Sequence, residues 1–70
     1  MKNSQKETLL FIKKFTDEHN YAPTIQEIAD ACNISKSGAY GRLMTLEKNH
    51  YISMEIGKQR TIKIIKKIEE

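Results

Sequence analysis

Between Pro23 and Asn33 the chain has room for only one very short helix, and both of its ends are spelled out in the sequence. Thr24 is followed three residues later by Glu27, the spacing at which a hydroxyl and a carboxylate satisfy each other's free backbone amides at a helix start. Asn33 then supplies a residue that enters the left-handed region readily, apolar Ile34 follows, and Ser35 is a good N-cap for another helix. Helices over about 25–32 and 36–49, joined by this tight turn, are therefore expected, and any fold for the chain must accommodate the pair.

Each helix carries one apolar stripe. In the first, Ile25, Ile28, Ala29 and Cys32 lie on one side, so Cys32 reads as a core residue. In the second, Ala39, Leu43 and Leu46 form a seam at i, i+4 and i+7. The other side of that helix presents Ser37, Tyr40, Gly41, Met44, Thr45 and Lys48, which the seam does not need. Small Ala29 and Ala39 suit a close helix crossing.

Before this pair, Thr8, Phe11, Ile12, Phe15 and His19 recur at spacings of three and four, predicting an amphipathic helix over about 3–18. Asn3 or Ser4 offers a cap, and Asn20 to Pro23 ends the pattern. Leu10 falls nearly opposite the stripe and is expected to be exposed, an ordinary event for a single Leu but also a candidate self-association point. After Asn49 and His50, strands are expected over about 51–55 and 60–65, with Gly57 in the turn and Lys58, Gln59 and Arg60 on the loop. The expected fold is mainly α with a small β-hairpin, one domain over residues 1–70.

Composition narrows the function. Seventy residues with 39% hydrophobic content support one core and no deep cleft, and no nucleophile and base stand at a recognisable spacing, so an enzyme is not expected. The longest apolar run, Leu9 to Ile12, is too short for a membrane span, and the polar start lacks a secretory signal. A cytosolic location is expected, in keeping with the lone Cys32. His19 and His50 lack companions at metal-ligand spacing, and no metal or cofactor is expected. The net charge of +3 is unevenly spread. Residues 1–34 carry four Lys against five acids, whereas residues 35–68 carry eight Lys or Arg against Glu47 and Glu55. A one-sided basic half favours a polyanion.

A short helix, a tight turn and a longer helix with a free outer face match the helix-turn-helix plan, and the basic hairpin that follows makes it a winged one. The stretch Tyr21-Ala22-Pro23-Thr24-Ile25-Gln26-Glu27-Ile28-Ala29, then Ser35-Lys36-Ser37-Gly38-Ala39-Tyr40-Gly41-Arg42-Leu43, resembles the DNA-binding domain of LexA-type repressors. The likeness runs on through Leu46-Glu47-Lys48-Asn49-His50-Tyr51-Ile52 to the end of the hairpin at Arg60-Thr61-Ile62-Lys63-Ile64. It implies three helices with a β-wing, and a partner that is double-stranded DNA. Two departures stand out: Asn49-His50 occupies the place of the usual Lys-Gly turn, and the loop before Ser35 looks one residue shorter. The peptidase domain that such repressors append is not in these 70 residues, so self-cleavage is not expected.

On that resemblance the DNA contacts fall to Ser35, Lys36, Ser37, Tyr40, Gly41, Arg42, Lys58, Gln59 and Arg60. Ser35 and Ser37 are expected on phosphates or base edges, at a helix N-terminus where free amides favour anions. Tyr40 is expected at bases or sugars, Gly41 at a close backbone approach, Lys36 and Arg42 on phosphates at the flanks of the outer face, and Lys58 and Arg60 on the backbone or minor groove. A homodimer on two half-sites is expected, acting as a transcriptional repressor rather than an activator because no second domain is present to recruit polymerase. The competing reading is a winged module that docks a protein and no DNA. RNA binding ranks lower, for lack of stacking aromatics on a sheet.

Overall fold

A computed structural model describes residues 3–55 and 57–66. Lys67, counted above in the basic half, and the outer ends of the expected 1–70 domain lie outside them. The order is α1 (Asn3–His19), α2 (Ile25–Cys32), α3 (Lys36–Lys48), β1 (Ile52–Ser53) and β2 (Lys63–Ile64). No helix among the described residues is long and apolar enough to cross a membrane.

The ends of α2 form as their local chemistry dictates. Thr24 adopts extended backbone and its hydroxyl accepts from the Glu27 N–H at 3.1 Å, while the Glu27 carboxylate accepts from the Thr24 N–H at 2.8 Å. Asn33 sits at φ 56°, and the Ile34 N–H reaches back to the Ala29 carbonyl at 3.0 Å, closing the helix with a left-handed residue. Ser35 caps α3 by accepting from the Gly38 N–H at 3.1 Å. The far end of α3 closes the way α2 does: His50 takes φ 66° and the Tyr51 N–H donates to the Leu46 carbonyl at 2.9 Å.

The three helices pack around Leu9, Ile12, Ile28, Ala29, Ala39, Leu43 and Leu46, with Ile52 and Ile62 closing the core from the hairpin. The Ala39, Leu43 and Leu46 seam is fully buried, as its spacing requires. Cys32 packs against the core without being fully enclosed. The stripe of α1 is rotated from the expected one. Thr8, Leu9 and Ile12 are its buried residues, a turn of roughly 50° toward Leu9 at 3.6 residues per turn. Phe11 only flanks the core, and Phe15 joins His19 and Tyr21 in a surface aromatic group with ring centroids 4.2–5.7 Å apart. Asn20, at φ 63°, folds Tyr21 back against Phe15, so the aromatic rings find one another instead of the interior. Leu10 is exposed, as expected.

The hairpin is shorter than expected, two residues per strand in place of about five. β1 and β2 pair antiparallel with Ile52 opposite Ile64 and Ser53 opposite Lys63. Beyond that the backbone ladder stops, because Arg60 at φ 58° turns its strand out of register and the Thr61 hydroxyl takes over, accepting from the Glu55 N–H at 3.0 Å.

Candidate nucleic-acid interface

The exposed side of α3 begins at its cap. Ser35, Lys36 and Ser37 are all exposed, and the two serine hydroxyls lie 3.2 Å apart, close enough to share a hydrogen bond. Ser35 is therefore both a cap and an exposed surface hydroxyl. Gly41 is exposed a turn further on, and a Cβ placed there would touch nothing within 4 Å. Packing therefore gives no reason for glycine in this mid-helix position, where it costs about 1 kcal/mol relative to Ala. Met44 is 38% exposed and Lys48 is exposed, so a strip of α3 from its first turn to its last is left uncovered.

Tyr40 is half-buried at the edge of that strip. It lines a cleft of about 140 Å³ between α3, the start of α2 and the wing, shared with Lys36, Gln26, Lys58 and Gln59. Lys58 stands with 71% of its side chain exposed and only a loose 3.7 Å approach to Glu55, and Gln59 is exposed beside it. Gln26 was not among the expected contacts. Its place just past the Thr24 cap, on the first turn of α2, is the signal that puts it at the cleft.

Two of the expected contacts are instead engaged within the fold. Arg42 does not flank the outer face; its guanidinium is turned onto α1, where Nη1 donates to the Ser4 carbonyl at 3.4 Å and the Thr8 hydroxyl at 3.3 Å, with Glu7 at 3.9 Å. Only 24% of that side chain is exposed. Thr8 is the one buried polar residue among the described residues, and Arg42 supplies a donor to it. Arg60 is on the wing as expected but is not a free cation. It donates to both Glu27 carboxylate oxygens at 2.9 and 3.4 Å and to the Ala22 carbonyl at 3.1 Å, and lies 4.6 Å over the Tyr21 ring. The Glu27 carboxyl is held below its ordinary range, foremost by the Thr24 backbone N–H and further by Arg60, against an opposing contribution from partial burial.

A capped α2, a tight left-handed turn, an α3 with an uncovered strip and a wing bearing Lys58 beside it together form a winged helix-turn-helix. The family model of the LexA DNA-binding domain matches residues 1–61. The chain belongs to this family. The LexA repressor of Thermotoga maritima is 41% identical over 64 residues, 91% of this chain and 32% of the relative. That of Caldicellulosiruptor saccharolyticus is 42% identical over 62 residues, 87% of this chain and 31% of the relative. The LexA repressor of Leptospira interrogans is 34% identical over 64 residues, with 91% and 32% covered. The chain thus spans about a third of the length of these curated relatives, the LexA DNA-binding third.

Proposed function

We propose that this LexA-family domain is a sequence-specific, double-stranded DNA-binding regulator that represses transcription, with α3 seated in the major groove and the wing on the flanking backbone. The observation that carries the reading is the strip of α3 from Lys36 to Lys48 that no other element covers, with Lys58 of the wing standing beside its start across the cleft. Ser35 and Ser37 approach phosphates or base edges from the helix N-terminus. Tyr40 and Gly41 meet the groove, the ring by contact and the glycine by letting backbone come close. Lys36, Lys58 and Gln59 hold phosphates across the cleft. Arg42 belongs to the scaffold of this site.

The relatives support repression: they are LexA repressors, and this chain matches about a third of their length, the part the LexA DNA-binding family model describes. The domain measures 27 × 24 × 20 Å, shorter than the 34–36 Å between half-sites one helical turn apart. One copy therefore reads one half-site, and two copies act as a homodimer, in the cytosol, by binding rather than by chemistry.

Mobility shift over a salt series tests the reading. With Arg42 turned to α1 and Arg60 paired with Glu27, the exposed cations this face offers among the described residues are Lys36, Lys48 and Lys58, the last only loosely paired with Glu55 at 3.7 Å. Neutralising about three phosphates gives log affinity a slope of roughly −2.7 against log salt. A chain that retards no duplex at low salt is a protein-docking module instead.

A further inference from the structure

Arg60 is the residue that the expected set of DNA contacts explains least. Its backbone holds a left-handed φ of 58°, a conformation that Gly or Asn adopts at lower cost. What a guanidinium adds there is reach: it spans 33 residues of sequence to Glu27 and 38 to Ala22. An isolated exposed ion pair contributes little. This one is a fork on both carboxylate oxygens, a third bond to a backbone carbonyl, and a stack on Tyr21.

The base of the hairpin is held by Ile52 and Ile62 in the core and by the Met54 N–H, which donates to the Glu47 carboxylate of α3 at 3.3 Å, so it is the tip that needs such an anchor. Two-residue strands do not hold a hairpin at a fixed angle by themselves. At the tip, the hydrogen bonds of the Thr61 side chain among the described residues run to Glu55 and Lys58, which belong to the wing itself. Glu27, by contrast, is fixed in the first turn of α2 by its bond to the Thr24 N–H at 2.8 Å, and its two partners Thr24 and Arg60 both line the cleft that Lys36 and Tyr40 share.

We propose that Glu27 and Arg60 are positioning residues for DNA binding: the pair latches the wing to the start of α2 and so sets the distance between Lys58 and Gln59 and the outer face of α3. The inference rests on the DNA-binding reading above. It carries a consequence opposite to simple electrostatics, since an anion in a DNA-binding domain strengthens binding. Glu27→Gln is the probe, because Gln still accepts the Thr24 N–H and preserves the cap while losing the charged fork to Arg60. Arg60→Lys is the second, keeping the charge and losing the fork.

Affinity for the best duplex selected from a random library by the unsubstituted chain is measured over a salt series, with urea unfolding of each variant to correct for the folded fraction. Glu27→Gln is expected to bind about fivefold more weakly, with the salt slope shallower by about 0.9 for each phosphate that the wing no longer grips. Arg60→Lys weakens binding similarly at unchanged charge, and Lys58→Ala, costly in the unsubstituted chain, is nearly silent beside Glu27→Gln. A fall in stability alone moves the folded fraction but not the slope. Glu27→Gln binding as tightly as the unsubstituted chain, or more tightly, overturns the latch and leaves the DNA reading intact. If the unsubstituted chain selects and retards no duplex, the DNA reading falls and takes the latch's role with it.

Discussion

The Arg42 guanidinium lies 3.3 Å from the Thr8 hydroxyl and ties the middle of α3 to α1. Thr8 is completely buried, and its hydroxyl also donates to the Ser4 carbonyl at 2.9 Å, so Arg42 completes a polar knot at the edge of the core. Arg42→Ala is expected to lower stability by about 1–2 kcal/mol, the range for losing a partly buried charge-assisted hydrogen bond. Urea unfolding reads that loss. The salt slope of duplex binding stays as in the unsubstituted chain, whereas a phosphate contact from Arg42 would make it shallower by about 0.9.

Glu27 gives stability a pH dependence with a definite sign. Its carboxyl is lowered from 4.5, first by the Thr24 N–H and then by Arg60. A group whose folded-state pKa lies below the unfolded value stabilises fully above the unfolded value and loses that contribution as pH falls through the folded one. Thermal melts should therefore show Tm falling below about pH 4.5. In Glu27→Gln that decline is shallower, and Tm at neutral pH is lower than in the unsubstituted chain. Parallel profiles for the two proteins would remove Glu27 as its source.

His50 closes α3 at φ 66°, a left-handed conformation that glycine adopts without steric cost. A left-handed conformation costs a non-glycine residue roughly 1–2 kcal/mol, and the added freedom of glycine in the unfolded chain takes back about 0.4–1. His50→Gly is thus expected to raise stability by about 0.5–1 kcal/mol in urea unfolding. Asn33→Gly should gain less, because Asn enters this region more easily. A loss of stability in His50→Gly would show that the His50 side chain holds the turn.

Gly41 separates folding from binding. A Cβ there meets open space, so Gly41→Ala should stabilise α3 by about 1 kcal/mol. The same methyl stands on the face assigned to the groove and should weaken duplex binding severalfold. Stabilisation with undiminished affinity would mean that DNA does not approach the backbone at this position.

Features set by near neighbours along the chain were legible in the sequence. The Thr24 and Glu27 box, the left-handed Asn33, the Ser35 cap and the Ala39, Leu43, Leu46 seam each depend on groups within a few residues of one another. Features set by residues far apart were not. Helical spacing alone does not decide between Leu9 and Phe15 for the core; the turn at Asn20 does, by bringing Tyr21 to Phe15. Periodicity placed Arg42 at the edge of an outer face, and only the packing of α1 against α3 brings the Thr8 hydroxyl and Ser4 carbonyl within its reach. The basic loop was likewise visible, yet nothing local marks Arg60 as the partner of Glu27. The strands are shorter than their composition suggests: β-branched residues at 61, 62, 64 and 65 favour extended backbone, but the Thr61 hydroxyl replaces a ladder rung with a side chain.

The outer strip of α3 as the DNA-binding surface is tested most directly by titrating the 15N-labelled chain with a selected duplex and following every backbone amide. Perturbations concentrated on Ser35, Lys36, Ser37, Tyr40, Gly41 and Met44, with a second group at Gly57, Lys58 and Gln59, are the predicted result. Perturbations centred instead on Leu10 and Ile65, two exposed apolar residues that line a separate groove between α1 and β2, would contradict it.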